Sequence, residues 1–443
     1  MKHIFPDYTY GPGPRANCWW NETIPAPDWP ALQGKAHADV AIVGGGFTGM
    51  TAALRLARTG LSVALCEADT PGFGASGRNG GFCCLGGGKI SNAALSRQFG
   101  REGRQAYRSA ETNAIDFVAS QLDRFGIDAD THSDGETLIA HTERAFRHFQ
   151  SEAESVAEDY GVEPRIHTAS QLAEMGQSMA GAFGALSIPK GFALNPRKYL
   201  FGIADAAQAA GARLHDNTQV TSITPKAGGH LLTTPRGTLQ ADRVIIATNG
   251  YSSEDLPDWF ASRYMPAQSS VLVTRPLSDD ELAAQGWTSL QMSYDSRNLL
   301  HYFRLMPDRR MLFGMRGGIL SSPRVEAAAL RRVRHDFETI FPAWRHVETP
   351  FGWSGMVCLA RNQTPFVGPV PDQPGVFAAM AFHGNGVAMG SWAGHLIAGD
   401  LLGDEPNLVP AAMRRPLARF PFGSCRRIVV PAVYLGMRLA DLR

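Results

Sequence analysis

Cysteine is scarce: six residues in a chain of 443, none at C-x-x-C spacing. That argues against a zinc site or a cysteine-held iron–sulfur cluster and suits a reducing compartment. Cys83 and Cys84 are adjacent, a poor geometry for an ordinary disulfide. Long apolar runs are missing too. A helix that crosses a bilayer needs about 18 or more uninterrupted apolar residues, and no such stretch is present. The opening MKHIFPDYTYGPGPR lacks the apolar centre of a secretory leader, so the expected location is cytoplasmic. Charge is balanced at a formal net +1, which removes a global attraction for nucleic acid. No metal-ligand cluster, internal repeat or low-complexity tract stands out. What remains is an ordinary globular composition over a length that one hydrophobic core does not fill, so two domains are expected.

Glycine, by contrast, is plentiful at 47 residues, and its placement is informative. From Ala38 the chain reads ADVAIVGGGFTGMTAALRLARTGLSVALCEA. Val40 to Val43 is a short apolar run of the kind found in a buried parallel strand. Gly44, Gly46 and Gly49 then form G-x-G-x-x-G, and apolar residues follow at helical spacing until Gly60. Gly44 permits the tight turn, Gly46 lets a pyrophosphate approach the backbone, and Gly49 lets helix pack on strand. The helix N-terminus, with Phe47 and Thr48 in its first turn, offers N–H groups and a positive dipole end to phosphates. A second strand, Leu61 to Leu65, leads to Glu67, which can accept both hydrogen bonds of an adenosine ribose. Strand, glycines, helix, strand and acid in that order predict a dinucleotide site.

The residues after Glu67 decide which dinucleotide. A nicotinamide enzyme would continue into further strand–helix units, whereas here Glu67 runs within a few residues into GFGASGRNGG, Gly72 to Gly81. Such a loop is placed to pass under an extended cofactor. Its glycines, among them Gly80 and Gly81, with Ala75 bare the backbone. Ser76 and Arg78 can supply hydrogen bonds or positive charge, and Asn79 tolerates unusual backbone dihedrals. Val220, in RLHDNTQVTSI, is expected to meet the adenine through backbone groups. The segment ADRVIIATNGY reads as an apolar strand ending at Thr248, Asn249 and Gly250, next to the nucleotide. Late in the chain GVFAAMAFHGNGVAMGSWAGHLIAGDLLG reads strand, glycine turn, helix, and Gly384, Asn385, Gly386 and Val387 open that helix towards the same cofactor. No second G-x-G-x-x-G comes after a strand, which disfavours a pyridine-nucleotide reductase.

These motifs, GFGASGRNGG above all with ATNGY and GNGVAMG in support, resemble the FAD-dependent oxidoreductases of the D-amino-acid oxidase superfamily, in particular its γ-glutamylputrescine oxidase-like members. The resemblance covers nearly the whole chain. It implies an α/β fold: a Rossmann-type FAD-binding domain built from discontinuous segments, plus an α+β substrate domain with an antiparallel sheet roofing the flavin. The corresponding ranges are 36–92, 190–256 and 351–403 for FAD, and 93–189 and 257–350 for the roof. Residues 1–35 form an N-terminal extension and 404–443 a basic tail. The implied activity is oxidation of a carbon–nitrogen bond of an amine or amino acid to an imine by hydride transfer to FAD. Oxygen is the expected acceptor, releasing hydrogen peroxide. A dehydrogenase passing electrons to a membrane quinone or carrier, and an FAD-binding protein with little turnover, remain alternatives. Some relatives tether the flavin through a cysteine near the position of Cys358. Here that residue aligns about two places away, a misaligned reach in a strand, so FAD is expected to be non-covalent.

In the roof, SRQFGREGRQAYRSAETNAIDFVASQLDRF reads as a long helix interrupted at Gly100 and Gly103. SSVLVTRPL, LHYFRLMPDRRMLFGMRGG and HVETPFGWSGMV alternate as half-buried strands do. Candidate substrate contacts are Tyr251, Tyr302, Arg304, Arg316 and Trp353, each of which also has an ordinary packing role open to it. A base is required only if the amine binds protonated, and His383 is the candidate. The tail interleaves Arg414, Arg415, Arg419, Arg426, Arg427, Arg438 and Arg443 with apolar residues. Peripheral membrane contact is conceivable on that pattern, and packing on the flavin domain is preferred.

Overall fold

The computed structural model describes residues 1–318, 321–403, 408–429, 432, 434, 436, 437, 440 and 441. The apolar run at Val40–Val43 lies in strand Gly34–Val43, whose last four residues are buried on both faces. It pairs in parallel with Val63–Cys66 on one side and with Gly237–Ile246 on the other. Arg213–His215 extends the sheet beyond Val63–Cys66, and Val376–Met380 with the antiparallel Phe366–Pro369 extends the opposite side. Helix Phe47–Ala57 packs against helices Pro196–Ala209 and Ala388–Leu402. The contact is close because the helices meet at glycine: a Cβ on Gly394 would stand 2.2 Å from the carbonyl oxygen of Thr48. An antiparallel pair, Ser222–Lys226 and Gly229–Thr233, attaches to Gly237–Ile246 and has no counterpart in the sequence expectations.

A second eight-stranded sheet runs Phe351–Ala360, Tyr264–Val273, Met311–Arg316, His301–Leu305, Met292–Asp295, Glu136–Ala140, Gly184–Ile188 and Arg165–Thr168. All its pairs are antiparallel except Met292–Asp295 with Glu136–Ala140. Two expectations change here. Strand 351–360, grouped with the flavin segments by sequence, pairs along its full length with Tyr264–Val273 and belongs to the roof sheet. Tyr264–Val273 is buried at every position rather than at alternate ones, because helix Pro323–Ile340 covers one face and the cavity side covers the other. The long helix Asn92–Phe125, expected in the roof, packs mainly on helix Ala388–Leu402 and breaks only at Gly100, where φ is +74°; Gly103 stays helical. Among the described residues, no helix is long and apolar enough to cross a membrane.

Candidate active site

Between the two sheets lies an elongated cavity of about 590 Å³, within the usual range for a buried small-molecule site. One end is the turn after strand Gly34–Val43. Gly44 has φ +108°, and a Cβ there would meet the Ala247 carbonyl oxygen at 2.9 Å, so the tight turn requires glycine. Gly46, Phe47 and Thr48 line the cavity at the start of helix Phe47–Ala57. Gly49 does not: its missing Cβ lets the helix sit on the Gly44 carbonyl, which a side chain would approach to 2.0 Å. Glu67 lines the same end, its Oε2 accepting the Gly45 N–H at 2.8 Å and its Oε1 the Asp69 N–H at 3.2 Å. Burial raises this carboxyl above its ordinary value while the two N–H donors oppose the shift. A carboxylate oxygen accepts more than one bond, so Glu67 keeps capacity for a ribose. Val220 and Thr248 complete this end.

The loop Gly72–Gly81 runs along the cavity as expected, but its polar residues divide the work differently. Ser76 Oγ accepts the Phe47 N–H at 3.0 Å, so its hydroxyl caps the helix and retains its own proton to donate. Asn79 keeps φ negative and clasps the loop: Nδ2 donates to the carbonyls of Ala75 and Ser76, and Oδ1 accepts the Gly81 N–H at 2.7 Å. The left-handed positions fall on Gly72 and Gly81 instead. Gly81 does not line the cavity; it gives clearance to the Leu194 carbonyl. Arg78 is 3% exposed, lies against the rings of Phe73 and Tyr251, and donates from Nη1 to the Ser354 carbonyl. Its Nε and Nη2 have no hydrogen-bond partner among the described residues. A buried cation with two unsatisfied donors on a cavity wall is suited to an anionic or carbonyl-rich guest.

At the far end, Gly384, Asn385, Gly386 and Val387 line the cavity before helix Ala388–Leu402, and Asn385 Nδ2 holds this turn to the Leu85 carbonyl. Tyr251, Tyr302 and Arg316 also line it. Tyr302 fits between Gly80 and Gly314, where a Cβ would come within 2.8 and 2.1 Å of its ring, and its hydroxyl bonds Ser269 Oγ at 2.8 Å. Arg316 reaches Gly384, where a Cβ would stand 2.4 Å from Nη2.

Three candidates lie elsewhere. Arg304 is wholly buried behind the loop, with Nε on the Gly80 carbonyl, Nη2 on the Leu194 carbonyl and Nη1 on His132 Nε2. Its donors are spent on structure, and burial lowers it to about 9. Trp353 is 1% exposed and donates from Nε1 to the Arg78 carbonyl, holding the loop from outside. His383 faces away from the cavity. Its Nε2 accepts the Ala360 N–H at 3.2 Å, and burial, with Lys89 and Arg316 nearby, lowers it to about 3. It is neutral and occupied, so it takes no proton from a substrate. Gly250 likewise sits behind Tyr251, facing Met356 and Val357.

Sequence reasoning missed Lys89, Cys84 and Tyr294 at the Arg316 end, and Met1, His3 and Tyr10, which close the side beside Tyr251. The run Gly86-Gly87-Gly88 before Lys89 was a signal of close approach; nothing in the sequence marked the N-terminal three. FAD fits this cavity on the observations given: a glycine turn with no room for side chains, Glu67 placed for a ribose, and Arg78 with two free donors midway.

Comparison with known proteins agrees. The family model described as FAD dependent oxidoreductase (DAO) matches residues 39–399. A probable oxidoreductase OrdL of Rhizobium meliloti is 33% identical over 397 residues, spanning 88% of this chain and 89% of that protein. The γ-glutamylputrescine oxidoreductase of Escherichia coli is 28% identical over 411 residues, spanning 91% and 92%. Among solved structures, glycine oxidase from Geobacillus kaustophilus superposes with a TM-score of 0.70 at 23% identity, covering 87% of this chain and 99% of the other.

Proposed function

The chain belongs to the DAO family of FAD-dependent oxidoreductases, and on that premise we propose that it oxidises a carbon–nitrogen bond of a small amine or amino acid to an imine, with oxygen as the final acceptor. The observation that carries this reading is Arg316. Its guanidinium lines the cavity at the end away from Glu67, under the roof sheet, with no carboxylate paired to it among the described residues. An anionic group on the substrate would satisfy it. Relatives whose names carry γ-glutamylputrescine and glycine support an amine of this kind.

FAD, when bound, supplies the two-electron acceptor, and the chain supplies position. Gly44, Gly46 and the first turn of helix Phe47–Ala57 would hold the pyrophosphate, Glu67 and Val220 the adenosine, and Arg78, Gly80 and Gly384 to Val387 the ring end. Tyr302 and Tyr251 would flank the substrate, and the roof sheet would exclude water. Holding an amine in one orientation over the acceptor is the larger part of the catalysis asked of these residues. The division into a flavin part and a roof part is taken from the sequence ranges with 351–360 moved to the roof, and helix Asn92–Phe125 packs on helix Ala388–Leu402 of the flavin part. FAD is expected to be non-covalent. Cys358 does line the cavity, but burial pushes its thiol up, so it is a poor nucleophile for a tether.

Anaerobic mixing with a panel of amines and amino acids is the deciding experiment. Bleaching of the yellow protein by at least one, with peroxide formed on admitting air, is the expected result; no bleaching defeats the proposal. Acid precipitation should leave a white pellet, and a yellow one would show a covalent bond. The described part of the tail favours packing over membrane contact. Arg426 is fully buried against Glu254 and the Tyr264 carbonyl, and Arg414 pairs with Asp400. Residues Arg438 and Arg443 lie outside the described residues. Co-sedimentation with anionic vesicles should therefore be weak.

A further inference from the structure

An amine gives up hydride from carbon only when its nitrogen lone pair is free, so an ammonium substrate must first lose a proton. His383 is turned away and engaged with Ala360. The other titratable groups at the Arg316 end are poor acceptors: burial holds the hydroxyls of Tyr294, Tyr302 and Tyr434 and the thiol of Cys84 in their protonated forms, and Glu136 lies behind Cys84 and Tyr294, outside the cavity lining. Arg316 itself stays a cation.

Lys89 is the remaining group. It follows Gly86-Gly87-Gly88, its side chain lines the cavity, and its backbone N–H is fixed on the Gln363 carbonyl at 2.7 Å. A side chain on Gly87 or Gly88 would collide with Met389 at 2.7 Å or with the Gln363 carbonyl at 2.4 Å, so the glycines bring Lys89 tightly into this wall. The charged and titratable groups around it are Arg316 and Cys84, with His383 on the next turn and Glu136 behind Cys84. No carboxylate pairs with Lys89 among the described residues. Two cations facing one space is an arrangement that favours the neutral amine on the one able to shed its proton. Arg316, and then burial, lower Lys89 to about 8.

We propose that Lys89 is the catalytic base of the oxidation, taking the proton of the substrate ammonium while Arg316 holds the substrate's anionic end. The assignment rests on the amine-oxidising reading above. The step is a proton transfer alone: an N–H bond of the substrate breaks, its electron pair stays on the substrate nitrogen, and Nζ forms a new N–H bond with its own lone pair. Nothing is oxidised in it, and the neutral amine is left to lose hydride.

Lys89→Arg and Lys89→Met separate charge from basicity. With glycine and γ-glutamylputrescine as reductants under anaerobic conditions, wild-type flavin reduction should accelerate as pH rises through about 8 and then level. Both variants should lose about 10²-fold or more near neutrality and recover only where the amine itself ionises. Acetate, which cannot be oxidised, gives an independent reading through the flavin absorbance of the holoenzyme. Its affinity for wild type should fall as pH rises through about 8, because Lys89 loses its charge there. Lys89→Arg should bind acetate without that fall, and Lys89→Met at every pH about as weakly as wild type does above 8. A Lys89→Arg enzyme that keeps the wild-type rate and pH profile overturns the proposal, as does loss of FAD from both variants, which would assign Lys89 to the cofactor. If neither amine bleaches the wild type at any pH up to about 10, where lysine and simple amines are already losing protons, the assignment falls too. The amine-oxidising reading itself then fails only if the whole panel fails.

Discussion

At the Glu67 end of the cavity the chain offers mostly backbone: a glycine turn, the first turn of a helix and one acid within about thirty consecutive residues, with Val220 and Thr248 closing the end from further along the chain. At the Arg316 end it offers side chains, and they come from segments spread over most of the chain: Lys89, Tyr302, Arg316 and the turn at Gly384. On the proposed function the first arrangement would serve a ligand part that never changes, since every FAD carries the same pyrophosphate and ribose. The second would serve the substrate. A shape made of missing side chains tolerates no substitution, whereas a wall of separate side chains can be altered one at a time.

The sharpest test of that contrast is steric. Gly49→Val would drive a side chain into the Gly44 carbonyl, with no flexible neighbour to yield. Overpacking costs about 1–3 kcal/mol even in adaptable cores, so we expect loss of bound FAD and a protein that folds poorly or not at all. Gly386→Ala, at the other end, meets no protein atom within 4 Å and should leave the melting temperature of the FAD-free protein nearly unchanged. Equal damage from the two would erase the distinction.

Arg304→Met comes next. It leaves the carbonyls of Gly80 and Leu194 without donors, at ~1–3 kcal/mol for each buried group left unpaired. The expected result is a lower melting temperature with an unchanged KM in the enzyme that remains folded. A KM that rises while stability holds would return Arg304 to the substrate. A smaller and two-sided effect is expected for Arg78→Met. Without FAD the variant should be as stable as wild type or more so, because a buried cation with two idle donors is gone. With FAD it should bind about ten- to a hundredfold more weakly, the worth of a charged hydrogen bond at ~1.5–3 kcal/mol. Melting curves with and without FAD give both signs in one experiment.

The last test concerns acid stability. His383 stays neutral in the folded state down to about 3, against 6.5 for an ordinary histidine. Its contribution is complete above pH 6.5 and is lost as pH falls from there through about 3. His132, beside Arg304, behaves alike. His383→Gln should therefore flatten, without abolishing, the acid limb of a stability–pH curve. It should leave the pH dependence of flavin reduction where it was.

How much of this was legible in the sequence tracks the same contrast. Gly44, Gly46, Gly49, Glu67 and the loop Gly72–Gly81 could be read because their spacing in the sequence is local, even though Gly44 and Gly81 give clearance to the distant carbonyls of Ala247 and Leu194. Arg304 and Trp353 were misassigned because an arginine or tryptophan on a strand does not announce which face it takes. Both turn to the back of the loop they support. His383 sits in the right turn, but with φ +52° its ring is aimed at Ala360 rather than into the cavity, an orientation no pattern records. Lys89 went unread because its partners, Arg316 and the Gly384 turn, lie more than two hundred residues downstream. The roof strand 351–360 was misplaced for a like reason: it stands next in sequence to flavin segments but pairs with Tyr264–Val273.

The central strand Gly34–Val43 also dictates an order of events during synthesis. One of its neighbours, Val63–Cys66, emerges soon after it, but the other, Gly237–Ile246, emerges only when half the chain has been made, and Val376–Met380 later still. Until then Val40 to Val43, among the most deeply buried residues of the finished protein, have an open edge. Contacts so distant along the chain make for slow folding, and an unpaired apolar edge is an invitation to pair with another copy. The turn that completes the cavity, Gly384 to Val387, is made when little more than the last helix and the tail remain. Because FAD would bind the completed cavity and not the waiting edge, it should stabilise the finished fold by mass action while leaving the edge unshielded during synthesis.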